Sequence, residues 1–197
     1  MQRVFIIHGW DGSPEEPMHK WLRKELEEKR FKVIVPEMPN SEEPEIKTWT
    51  DKLKEIVINP DKNTYFIGHS IGCQAILRYL ENLDAKIKIG GAIFIAPWIS
   101  LNTKIIEEED GKESVEIAKP WLETPILWDK IKKHINKFVC IFSDNDPYVP
   151  LVNKKIFEKK LSSKVIIENN KGHYTQDDNV EENPVVIKEL LKISNIS

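Results

Sequence analysis

Gly68-His69-Ser70-Ile71-Gly72 stands between an apolar run, Tyr65-Phe66-Ile67, and an amphipathic stretch carrying Ala75, Ile76, Tyr79, Leu80 and Leu83. A serine attacks a carbonyl only if a base takes its proton and its oxygen stands clear of the backbone. A tight strand-to-helix turn achieves the second, at the cost of a strained residue, and small residues two before and two after the serine let it close. Gly68 and Gly72 supply that room around the elbow residues His69 and Ser70. The Ile71 N–H, at a helix N-terminus, would face an oxyanion. The pentad also arises by chance, so its flanking strand and helix are what make Ser70 the candidate nucleophile.

Five histidines are candidates for the base. His8 ends the first strand, His69 is locked inside the turn, His19 lies near a helix start and His134 near a helix end among lysines, so these four read as structural or exposed. His173, in Lys171-Gly172-His173-Tyr174, follows the last strand on a loop at the carboxyl edge, where parallel sheets place their sites. An acid is expected at the end of the preceding strand, and Asp144 and Asp146 both lie there. Asp144 reads as a turn residue or a neighbour that tunes the site. His8-Gly9-Trp10-Asp11-Gly12 forms a glycine-rich turn after the first strand, so the Trp10 N–H would join that of Ile71 in an oxyanion hole. The full dinucleotide fingerprint is absent from this turn.

Six apolar runs read as strands: Val4–Ile7, Phe31–Val35, Tyr65–Ile67, Gly91–Ile95, Phe138–Phe142 and Val165–Ile167. Helical spacing marks the stretches around Trp21-Leu22-Leu26, Ile46-Trp49-Leu53, Ala75–Leu83, Val152-Ile156-Leu161 and 185–193. This alternation predicts α/β architecture, a three-layer α/β/α sandwich around a mostly parallel six-stranded sheet with every strand buried on both faces. Residues 99–128 break the rhythm with acids, Pro120 and Pro125, and are expected to form a small lid-like segment. Trp98, Trp121 and Trp128 either wall a substrate pocket or anchor that segment in the core.

The chain has 197 residues, 40% of them hydrophobic and 31% charged, with a net charge of −3. Those values exclude disorder and a membrane-embedded chain, and no basic field exists to hold nucleic acid. No linker divides 1–197, so one domain is expected. Met1-Gln2-Arg3 runs straight into an apolar stretch too short for a signal peptide, and the cytoplasm is the expected location. Cys73 and Cys140 have no metal-ligand spacing and read as reduced core residues. No heptad seam is visible, and a monomer or small homodimer is expected.

These features together resemble the compact serine hydrolases typified by retinoblastoma-binding protein nine, within the α/β-hydrolase superfamily. The likeness runs through His8-Gly9, Trp21-Leu22, Met38-Pro39, Gly68-His69-Ser70, Lys119-Pro120-Trp121 with Trp128, Asp146-Pro147 and Gly172-His173. Asp146-Pro147-Tyr148-Val149-Pro150 resembles the acid loop of that fold, which favours Asp146, and the order Ser, Asp, His matches the superfamily. The resemblance implies a minimal hydrolase acting on a small ester, thioester or amide without metal or organic cofactor. The rival expectation is a non-catalytic binding protein on the same fold, which a broken triad would signal.

Overall fold

The computed structural model describes residues 1–195. The apolar runs form strands β1 (Arg3–Ile7), β2 (Lys32–Ile34), β3 (Thr64–His69), β4 (Gly91–Ile95), β5 (Phe138–Ser143) and β6 (Lys164–Glu168). The helices are α1 (Pro17–Glu28), α2 (Ile46–Ile56), α3 (Ile71–Leu80), α4 (Thr103–Asp110), α5 (Lys112–Glu123), α6 (Trp128–His134), α7 (Val152–Leu161) and α8 (Pro184–Ser194). Each strand pairing is parallel and the order is β2-β1-β3-β4-β5-β6, so the sheet expected to be mostly parallel is wholly so. The chain winds outward from β1 to β2, then crosses back to β3. That reversal opens a crevice beyond the carboxyl ends of β1 and β3, where α/β sheets bind ligands.

Burial separates inner from outer strands. Strands β3, β4 and β5 are buried along their whole length, and β1 is buried from Val4 onward. The runs at Phe31–Val35 and Val165–Ile167 do not share the full burial expected of them. As sheet edges, β2 exposes Lys32 and pairs over three residues only, and β6 leaves Ile167 exposed. An edge strand has one neighbour and meets solvent on its other side.

Helix α3 is buried on every side, so its polar residues must find partners inside the protein. Gln74 Nε2 donates to the Trp98 carbonyl at 2.9 Å. Arg78 Nη2 donates to the carbonyls of Trp121 and Thr124 at 3.0 and 2.9 Å, with its guanidinium 5.8 Å from the Trp121 ring centroid. These bonds fix the far end of the 99–128 stretch, which folds as α4 and α5 joined at Gly111. Asn153 of α7 fixes the near end, accepting from the Ile99 and Ser100 N–H groups at 2.8 and 3.0 Å. No helix among the described residues is long and apolar enough to cross a membrane.

Candidate active site

Ser70 occupies the junction of β3 and α3 with φ 51° and ψ −118°. A non-glycine residue pays about 1–3 kcal/mol for such a conformation, which persists only where its surroundings enforce it. They do so here: the Ser70 N–H donates to Ile95 O at 2.9 Å, anchoring the turn to the end of β4. A Cβ on Gly72 would stand 2.4 Å from Ile7 O, and one on Gly68 would stand 2.9 Å from Cys73 N, so α3 packs against the sheet only with glycine at both positions. Ser70 Oγ lies 2.9 Å from His173 Nε2 and 3.3 Å from Trp98 Nε1, which donates to it.

His173 sits on the loop after β6, shaped by Gly172 in the left-handed region at φ +50°. A Cβ on Gly172 would meet Asp178 Oδ1 at 1.8 Å. The Asp178 carboxylate in turn accepts from the N–H groups of His173 and Thr175 and from the Thr175 hydroxyl, at 2.8, 3.1 and 2.8 Å. His173 Nδ1 lies 2.8 Å from Asp146 Oδ2, and Asp146 Oδ1 accepts the N–H groups of Tyr148 and Val149 at 2.9 and 3.0 Å. A carboxylate only accepts, so Nδ1 carries the proton and Nε2 presents a lone pair to the Ser70 hydroxyl. Ser70, His173 and Asp146 are thus brought into one hydrogen-bonded line. Asp144 lies aside from it and accepts the Asn170 N–H at 2.8 Å, joining the two loops.

A cleft of about 610 Å³ opens over Ser70. Trp10, Ile71, Trp98, Leu101 and Ile106 supply apolar lining, and five carboxylates stand around it: Asp11, Glu16, Glu42, Asp110 and Asp177. Among the described residues, the Trp10 and Ile71 N–H groups meet no acceptor. Of the three tryptophans read as either pocket walls or core anchors, Trp98 alone lines the cleft. Trp121 is buried beneath it, donating to Pro44 O at 2.8 Å and packed edge-on to Trp49, and Trp128 packs edge-on against Phe157 at 6.0 Å. The Trp121 indole thus belongs to the core, and that of Trp128 lies partly buried against it.

The histidines set aside as structural or exposed are all buried. His8 accepts the Met38 N–H at 3.0 Å and joins the β1 loop to the Met38-Pro39 turn. His69 Nε2 donates to the His173 carbonyl at 2.8 Å, so the elbow holds the base loop directly. Burial pushes the imidazole of His69 well below its ordinary range and that of His19 down to about 4. Burial raises the Glu16 carboxyl. Tyr148 packs edge-on to His173 at 5.3 Å, and its hydroxyl, held by the Glu109 carboxylate and by burial, is pushed up. The Trp98 indole, the Asp178 clamp and the His69 bond are absent from the sequence reading. Only Thr175-x-x-Asp178 carries a local sign, as a side-chain-capped turn.

The family model for serine hydrolases matches residues 4–192. The chain belongs to the serine hydrolase family. Among its relatives, protein YdeN of Bacillus subtilis is 28% identical over 186 residues, covering 94% of this chain and 92% of that one. Serine hydrolase RBBP9 of Rattus norvegicus is 26% identical over 185 residues, covering 93% and 87%. The crystal structure of the Bacillus subtilis ydeN product superposes with a TM-score of 0.87 over 98% of both chains at 26% identity. A bromoperoxidase from Bacillus anthracis shares the fold, with a TM-score of 0.71 at 18% identity over 96% of this chain and 91% of that one. The family's α/β-hydrolase fold is therefore the fold of this serine hydrolase.

Proposed function

We propose that the protein hydrolyses small carboxylic esters, thioesters or amides through an acyl-enzyme on Ser70. One observation carries the reading: a strained serine whose Oγ lies 2.9 Å from His173 Nε2, with His173 Nδ1 2.8 Å from Asp146. In this mechanism Ser70 Oγ attacks the carbonyl carbon while its proton passes to His173 Nε2, and Asp146 holds the tautomer and stabilises the imidazolium. The Trp10 and Ile71 N–H groups receive the oxyanion. The leaving group departs with the proton from Nε2. Water then gives its proton to Nε2 and attacks the acyl carbon, and the carboxylic acid leaves as Ser70 regains its hydrogen. The carboxylates around the cleft favour uncharged or cationic substrates over anionic ones. We read residues 99–128 as a small cap, because Leu101, Ile106, Asp110 and Ser114 close one side of the cleft.

A fluorophosphonate probe with mass spectrometry tests this reading, with Ser70→Ala and His173→Ala alongside. Labelling at Ser70 that both substitutions abolish is the expected outcome, since removing one member of such a unit costs about as much as removing all. A folded protein that stays unlabelled would overturn it.

A further inference from the structure

Behind the Ser70 turn lies a second cluster that the acyl-transfer mechanism does not use. Glu16 precedes α1, His19 lies in its first turn and His69 ends β3, and a donor atom of each lies within 4.8 Å of the other two. His19 and His69 are 0% and 4% exposed, with ring centroids 6.2 Å apart.

Their hydrogen bonds fix which nitrogens are free. His69 Nε2 donates to the His173 carbonyl, which leaves Nδ1 as a lone pair. His19 Nδ1 donates to Ser13 O at 3.1 Å with Glu16 Oε2 at 3.3 Å, which leaves Nε2 as a lone pair. Among the described residues neither His69 Nδ1 nor His19 Nε2 meets a hydrogen-bond donor. Buried acceptors of this kind are costly unless something electropositive reaches them.

We propose that Glu16, His19 and His69 bind one first-row divalent cation of the zinc class. Two imidazoles and a carboxylate suit zinc and its neighbours rather than calcium or magnesium, which prefer oxygen ligands. Metal-bound imidazoles characteristically donate their other N–H to a carbonyl or carboxylate, as both rings do here. A Cβ at residue 9 would stand 3.1 Å from His69 Nδ1, so Gly9 keeps the space beside that nitrogen open. Glu16 and His69 line the cleft, which gives an ion a path past the Asp11 and Glu42 carboxylates. Zinc-to-nitrogen bonds of about 2.0–2.1 Å draw tetrahedral ligands to roughly 3.4 Å apart. Glu16, the most exposed of the three, rests with Oε2 3.3 Å from His19 Nδ1 and Oε1 3.0 Å from the Ser13 N–H, so it must swing towards His19 Nε2 to close that spacing. The bound ion ties the first turn of α1 to the end of β3.

The test uses the full, tag-free chain freed of metal by a chelator, titrated with Zn²⁺ by calorimetry and with Co²⁺ by visible absorption. Saturable binding of one ion per chain, with the intense Co²⁺ bands of a low-coordinate site, is expected. Glu16→Ala should weaken it roughly tenfold or more and His19→Phe should abolish it. His173→Ala should bind as the parent does, because the substitution keeps the main-chain carbonyl that holds His69 Nε2 and removes only a ring packed 5.2 Å away. In the unsubstituted protein, Zn²⁺ should shift the ¹⁵N resonances of His19 Nε2 and His69 Nδ1, a readout independent of how any variant folds. Absence of saturable binding, unmoved resonances, or binding that survives both ligand substitutions overturns the proposal. Loss of binding in His173→Ala would do the same by placing the ion on the Ser70-His173 pair.

Discussion

A serine with φ 51° stays in that conformation because its N–H, its hydroxyl and the glycines around it leave no other. The strain predicts an ordering of two variants. Ser70→Gly relieves it and Ser70→Ala retains it, so the glycine variant should be the more stable by about 1 kcal/mol in urea denaturation, with neither hydrolysing an ester. Equal midpoints would mean the turn stores no strain. Ser70 was legible in the sequence because it sits in a chain-local turn signature, His173 because it follows the last strand at the carboxyl edge, and Asp146 through the likeness of its loop. The Trp98 indole on Ser70 Oγ was not, because it depends on how β4 runs out beside β3, a relation between elements distant in sequence. The choice between cleft and core was open for Trp121 and Trp128 for the same reason: a tryptophan in an irregular segment does not announce which way it faces.

At the scale of elements, the strands and the helices α1, α2, α3, α7 and α8 were legible from hydrophobic period, whereas α4, α5 and α6 were not marked, and burial was misjudged at the sheet edges, where an apolar run does not state how many neighbours it has. The path of residues 99–128 was less legible, because its anchors come from other helices. Arg78 is the chief of them, a buried cation whose bonds go to two carbonyls at the end of α5. Arg78→Met fills much of the volume but leaves both carbonyls without their donor. Its folding free energy should fall by about 2–4 kcal/mol, read from the urea midpoint, and proteolysis should begin near 121–124. An unchanged midpoint would assign the anchoring to the Trp121 side chain instead.

For the whole molecule, buried neutral imidazoles make stability depend on pH. His8, His19 and His69 are each held below the ordinary value of 6.5, chiefly by burial, with His19 at about 4. As pH falls through 6.5 these groups take protons in the unfolded chain but not in the folded one, so unfolding binds protons and acid favours it. The contribution is complete above about pH 6.5 and is lost towards pH 4, amounting to about 3 kcal/mol for His19 alone. With a chelator present, urea midpoints should be level near neutrality and fall steadily over that window, and His19→Phe should flatten the fall. A level profile down to pH 4 would refute the assignment. Gly111 carries a different consequence. It joins α4 to α5 at φ +87° with nothing within 4 Å of where a Cβ would stand, while Asn153 and Arg78 pin the segment at residues distant from it. A peptide spliced into that junction would extend the side of the cleft that Leu101, Ile106, Asp110 and Ser114 line and leave both moorings in place, which makes it the natural point for evolution or an engineer to graft new selectivity.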